Sequence, residues 1–366
     1  MRPMNVADRA ARLRARLEPA ECQAVLLTRL VNIRYLTGFT GSAALLLVLP
    51  DELLFVTDGR YGDRAGEELK RAGVEAEIVV GRTGGDQKEA VTARATGIDR
   101  LGLEAGDVSW AQQRRFASDW FSEAELVPTE DLVEALRRVK DEGEIDRMAE
   151  AARVADAALA ECRSMLLDCP TEAEVAIALD FAMRRGGAEG PSFETIVASG
   201  PNGARPHHQP TDRRISPGEL VVIDFGASVD GYCSDMTRTL CVGEPASDTA
   251  RRMADVVADS QRAGVAAVAP GAEAKTVDDV CRTVIADSGW GDFFLHSTGH
   301  GVGLEIHEAP TVSAKSTDTL EPGHVVTVEP GVYIADHGGV RIEDTLVVTA
   351  DGSVTLTNAP KELVVT

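Results

Sequence analysis

The stretch Val221–Thr239, VVIDFGASVDGYCSDMTRT, sets Asp224 at the end of a continuous apolar run and Asp235 just beyond a Val-Asp-Gly-Tyr turn. This constrains the fold, because an apolar run entering a buried sheet should not end in a carboxylate unless something offsets the cost of holding charge away from water. A metal ion would do so. Two short antiparallel strands turning at Asp230-Gly231 bring the two aspartates near each other, with a bulge to aim both inward. Such a pair repels unless a cation holds it.

The same anomaly recurs further along. VTVEPGVY delivers Glu329 at the end of an apolar strand, and GGVRIEDT delivers Glu343 inside another. Between Asp235 and Glu329 lies HSTGHGVGLEIHEAP, His296–Pro310, which packs three of the seven histidines among glycines at 299, 301 and 303. Those glycines let the backbone approach a neighbour closely or take positive φ. The spacing does not fit H-E-x-x-H, so a helical zinc-protease motif is excluded. The Asp-Phe-Gly at 224–226 imitates a kinase motif but lacks its companions.

Taken singly, each acid reads as an edge or turn residue and each histidine as a hydrogen-bonded core or surface residue. Together they share one peculiarity, since each acid ends or interrupts an apolar strand in the same half of the chain. Four such acids and a histidine suit two divalent ions, which carboxylates bridge at about 3.5–4 Å. An oxygen-rich set with one imidazole favours manganese, with cobalt, iron or zinc as alternatives. Cys233, close to Asp235, is read as a packing residue rather than a soft ligand.

At 366 residues the chain exceeds one ordinary domain. Its net charge of −22 and pI near 4.7 exclude nucleic acid as the main partner, because phosphate contacts need clustered lysines and arginines. No apolar run approaches a membrane span, and the Arg-rich start lacks the apolar core of a secretory signal, so a cytoplasmic protein is expected. The six scattered cysteines, without C-x-x-C spacing, read as reduced thiols.

In residues 1–135, strands at 24–28, 75–80, 98–103 and 125–128 and a hairpin around Pro50-Asp51 alternate with helices at 8–18, 60–72 and 109–116, predicting an α/β domain. The charged segment Leu132–Gly143 makes the crossing. In residues 136–366, helices from 144, at 171–185 with a Thr171/Glu174 capping box, at 248–268 and at 276–288 give way to strands at 325–329, 332–334, 340–348 and 354–357. Further strands fall at 195–199 and 220–225. This predicts an α+β domain.

The order IDFGA, SDMTRT, HSTGHGVGLEIHE, VEPGVY, RIEDT resembles the pita-bread metallopeptidases, the group of Xaa-Pro aminopeptidase, prolidase and methionine aminopeptidase. NIRYLTGFTGS and FVTDGRY are similar to the creatinase-type amino-terminal domain of the proline-directed members. The resemblance implies a pita-bread catalytic domain over 136–366 and two divalent ions. Asp224 would be a ligand of one, Asp235 and Glu343 would bridge both, and His300 and Glu329 would be ligands of the other. It further implies that His207, rather than the adjacent His208, contacts substrate, and that His307 lines the site. Glu329 would carry the proton, and Arg341 would support a bridging carboxylate from behind. The activity implied is release of an N-terminal residue from proline (Xaa-Pro aminopeptidase), on short peptides with proline second, with prolidase as the nearest alternative and a homodimer as the assembly. A creatinase-like amidinohydrolase or a non-catalytic module is disfavoured because all five ligands are present.

Overall fold

The strand Leu220–Phe225 pairs antiparallel with Met236–Val242, setting Asp224 opposite Thr237. Alternation then sorts the two faces. Val221, Ile223, Phe225, Met236 and Leu240 point into one apolar cluster, while Leu220 and Cys241 join another. Asp224 and Thr237 fall on this second face, so the acid is aimed by strand geometry.

The computed structural model describes residues 1–366. It divides into two units, Pro3–Arg137 and Arg138–Thr366 with Met1–Arg2. In the first, six strands run in the order Glu77–Gly81, Leu53–Asp58, Ala44–Val48, Ala24–Leu27, Arg100–Glu104, Glu125–Thr129. The middle pairs around the Pro50-Asp51 hairpin are antiparallel and the outer ones parallel. Four helices, Leu30–Thr37, Gly62–Arg71, Gly84–Arg94 and Trp110–Arg115, connect the strands. The helix Gly84–Arg94 was not expected from the sequence. Two glycines open it, and it is held instead by a reciprocal cap between Thr83 and Asp86.

In the second unit, helix Glu142–Cys162, capped by Asp141 and Glu144, and helix Glu172–Arg185, capped by Thr171 and Glu174, cover one apolar cluster. Helices Asp248–Ala267 and Ala274–Asp287 cover the other. A four-stranded sheet (Val364–Val365, Met236–Val242, Leu220–Phe225, Ile196–Ser199) and a five-stranded one (Glu308–Val312, Gly299–Gly301, Val325–Val328, Asp344–Val348, Ser353–Thr355) carry Asp224 and His300, with Asp235, Glu329 and Glu343 each one residue beyond a strand end. The turn Asp230-Gly231 links Ala227–Val229 to Tyr232–Cys233, with φ of 49° and 76° at the two turn residues. Double positive φ gives the turn whose twist matches a hairpin.

One expected strand is two. Residues 340–348 belong to Gly338–Arg341, paired with Gly331–Ile334, and to Asp344–Val348, paired with Val325–Val328. The break at Ile342-Glu343 arises because the Glu343 amide donates to the Thr237 carbonyl at 3.1 Å and its carbonyl accepts from Arg238. Glu343 therefore sits in a gap between strands, where its side chain is free of both ladders.

Candidate metal centre

Gly226, two residues after Asp224, lies hard against Ser234, the residue before Asp235. A Cβ there would lie 1.9 Å from the Ser234 carbonyl oxygen, so only glycine allows the two strands to cross this closely. Gly299 has the same function, since a Cβ would meet the Thr327 carbonyl at 2.0 Å. It seats His300 beside the strand that ends at Glu329. The His300 amide donates to Thr327 Oγ1 at 3.1 Å, and that hydroxyl donates to Glu329 Oε1 at 3.1 Å.

Ligand atoms of Asp235, His300 and Glu343 lie within 4.8 Å of one another. His300 Nε2 is 3.5 Å from Asp235 Oδ2 and 3.2 Å from Glu329 Oε1. Its Nδ1 faces the Gly301 carbonyl at 3.0 Å, a contact that fixes a proton there, so Nε2 carries a proton toward the carboxylates when no metal is bound and would offer its lone pair to one that is. Asp224 is oriented by Arg341, whose Nη2 donates to Oδ2 at 2.5 Å. Arg341 Nε also donates to Thr237 Oγ1 at 3.0 Å, and Thr237 donates on to Glu343 Oε2 at 2.7 Å. One guanidinium thus ties two of the acids together from behind.

These residues fit a divalent cation. Asp224 Oδ1 and Glu343 Oε1 are buried with no hydrogen-bond partner, although each carboxylate has its other oxygen well held. Burial, followed by the neighbouring carboxylates, pushes Asp235 and Glu343 well above the ordinary acid range. Burial also raises Asp224, with Arg341 opposing it. At Glu329 burial is outweighed by His300, leaving its carboxyl at about 2, and His300 is raised against burial to about 9 by Glu329 and Asp235. Protons and one imidazolium thus balance the clustered negative charge when no metal does.

All five residues line one cavity of about 590 Å³, together with His207, His307 and Arg341. His207 and His307 are exposed at its mouth, and the His307 ring stands edge-on to His300 with centroids 4.4 Å apart. His208 also borders the cavity but is buried, its Nε2 2.9 Å from Glu172. Cys233 is buried and is not among the clustered ligand atoms.

Two further residues were given no role from the sequence. His296 lines the cavity and its Nε2 contacts Tyr333 Oη at 2.8 Å, and Tyr333 Oη in turn receives Arg341 Nη1 at 2.7 Å. Their signal was the proximity of His296 to the glycine-rich motif and of Tyr333 to Glu329.

The α/β unit and the unit that carries the acid-lined cavity each have the fold of one part of a pita-bread metallohydrolase with a creatinase-type amino-terminal domain. Residues 146–350 match the model of metallopeptidase family M24, and residues 9–139 that of the creatinase/prolidase N-terminal domain. The chain belongs to metallopeptidase family M24. It is 45% identical to a Bacillus subtilis (strain 168) protein described as the uncharacterized peptidase YqhT, over 93% of this chain and 95% of that one. It resembles the solved Xaa-Pro dipeptidase from Bacillus anthracis with a TM-score of 0.93 and 40% identity, covering 98% and 99% of the two chains. The X-Pro aminopeptidase from Thermotoga maritima MSB8 superposes with a TM-score of 0.87 at 35% identity, covering 96% and 100%.

Proposed function

We propose that the protein hydrolyses the bond between an N-terminal residue and proline in short peptides, as an Xaa-Pro aminopeptidase holding two divalent ions. The observation that carries this reading is the convergence of Asp224, Asp235, His300, Glu329 and Glu343 on one cavity, with two buried carboxylate oxygens left unpartnered. Asp224 would hold one ion, His300 and Glu329 the other, with Asp235 and Glu343 between. The oxygen-rich set favours manganese. When bound, the ions supply Lewis acidity, polarising the scissile carbonyl and acidifying water.

The chain's own residues do the rest. The acidic floor of the cavity attracts the free amine of the peptide. Glu329 takes a proton from the attacking water and passes it to the imide nitrogen of proline, which has no N–H of its own. His207, at the cavity mouth, donates to the oxygen that becomes negative as the carbonyl turns tetrahedral. His307, edge-on to His300, flanks the scissile bond. Arg341 keeps Asp224 in place.

The test is hydrolysis of a panel of Xaa-Pro and Xaa-Pro-Yaa peptides by manganese-reconstituted protein, with Asp235→Asn as control. Release from Xaa-Pro-Yaa that depends on metal and on Asp235 supports the reading; full activity without metal refutes it. Likeness to the solved Bacillus anthracis Xaa-Pro dipeptidase favours a second reading, cleavage confined to Xaa-Pro, and the same panel separates the two. No helix is long and apolar enough to cross a membrane, and a cytoplasmic homodimer is the state proposed, to be checked by fractionation and light scattering.

A further inference from the structure

His207 lies on an irregular stretch that follows the turn Gly200–Ala204, and this stretch is gripped by a carboxylate the proposed chemistry does not use. Glu172, the first residue of helix Glu172–Arg185, is fully buried. Its Oε1 accepts from Ser199 N at 2.8 Å, Ser199 Oγ at 2.7 Å and Asn202 Nδ2 at 3.0 Å. Its Oε2 meets His208 Nε2 at 2.9 Å and accepts from Thr211 N at 3.1 Å and Thr211 Oγ1 at 2.7 Å. A buried carboxylate so fully supplied with donors is anionic and fixed, and removing it leaves those donors unpaired.

The donors flank His207 in the chain, with Ser199 and Asn202 before it and His208 and Thr211 after. The residue just before it is anchored differently. The Pro206 carbonyl accepts from Arg341 Nη1 at 3.4 Å, and Arg341 is bonded to Asp224. His207 therefore sits between a residue tied to the acid cluster and a residue tied to Glu172. Its own ring is exposed on the cavity wall, so its placement follows from that of its neighbours.

We infer that Glu172 is a positioning residue for turnover: through His208 and Thr211 it fixes His207 at the cavity mouth. The inference rests on the role proposed above for His207. Glu172 touches none of the five metal-site side chains, so its loss acts on rate rather than on metal binding. Misplacing a reacting group by about 1 Å costs up to roughly 100-fold in rate.

The experiment is a double-mutant cycle in the full-length, manganese-loaded protein. Glu172→Gln, His207→Ala and the double variant are compared for kcat and KM on Ala-Pro-Ala, with manganese affinity measured by calorimetry. Glu172→Gln is expected to lower kcat about 10- to 100-fold with manganese affinity unchanged, and to lower it less than about twofold further when His207 is already alanine. A merely structural carboxylate would give the same loss in both backgrounds, and that result overturns the inference, as does an unaltered kcat or a parallel fall in manganese affinity. If His207→Ala alone leaves kcat intact, the role proposed for His207 fails and this inference with it. An additive cycle on top of a real His207 loss sinks the inference alone. Should Glu172→Gln not fold, Thr211→Val, which removes one hydroxyl donor, goes through the same cycle with an expected loss of about threefold.

Discussion

Arg341 donates from Nη2 to Asp224 Oδ2 at 2.5 Å, while the other oxygen of that carboxylate stays buried without a donor. The guanidinium thus divides the acid into a held oxygen and a free one, and the free one is the atom the proposed cation would take. Replacing Arg341 with lysine keeps a positive charge but loses the fork that also reaches Thr237 and Tyr333. Manganese affinity is expected to fall roughly 10- to 100-fold. Titration calorimetry checks this, and unchanged affinity would remove Arg341 from the site's architecture.

Metal removal should change how stability depends on pH. In the metal-free protein Asp235 and Glu343 titrate well above the ordinary carboxylate range. The folded state therefore binds more protons than the unfolded one, and stability falls as pH rises from about 4 upward. His300, raised to about 9, acts in the same direction, since its contribution is complete below about 6.5 and is lost as pH rises through about 9. Chelated protein should thus lose Tm between about pH 5 and about pH 8, while manganese-loaded protein should not. Parallel Tm curves with and without chelator would contradict the proposed balance of charge.

Gly226→Ala drives a methyl carbon to 1.9 Å from the Ser234 carbonyl. The two strands must part, costing about 2–3 kcal/mol by denaturant titration and displacing Asp235. Loss of metal affinity is expected alongside the loss of stability, because the same crossing sets both.

Glu172 gives the opposite pH signature from Asp235 and Glu343. Burial works against its charge, but the donors from Thr211, Ser199, His208 and Asn202 hold it down to about 2. Its stabilisation is present above the ordinary value of about 4.5 and is lost as pH falls toward about 2, on the order of 3 kcal/mol in all. Glu172→Gln should be less stable at neutral pH and should lose less on acidification. An acid limb as steep as that of the parent protein would mean the carboxylate is not ionised in the fold.

Much of this protein was fixed by local sequence. Asp230-Gly231 can supply the two positive φ values of a tight hairpin, Thr171 and Glu174 cap a helix wherever it packs, and an aspartate closing an apolar run marks a strand aimed at a charged site. The Thr83–Asp86 cap that holds the helix Gly84–Arg94 despite its opening glycines is equally local. Other features were decided only when distant segments met. Residues 340–348 split because Thr237 and Arg238 capture the backbone of Glu343, about a hundred positions away in the chain. Of two adjacent histidines, His208 is buried and held by Glu172 and His207 is left exposed on the cavity wall. Propensity and periodicity act over a few residues, whereas the hydrogen bonds that settle these last two points close loops of 36 and 105 residues, so no local pattern could carry them.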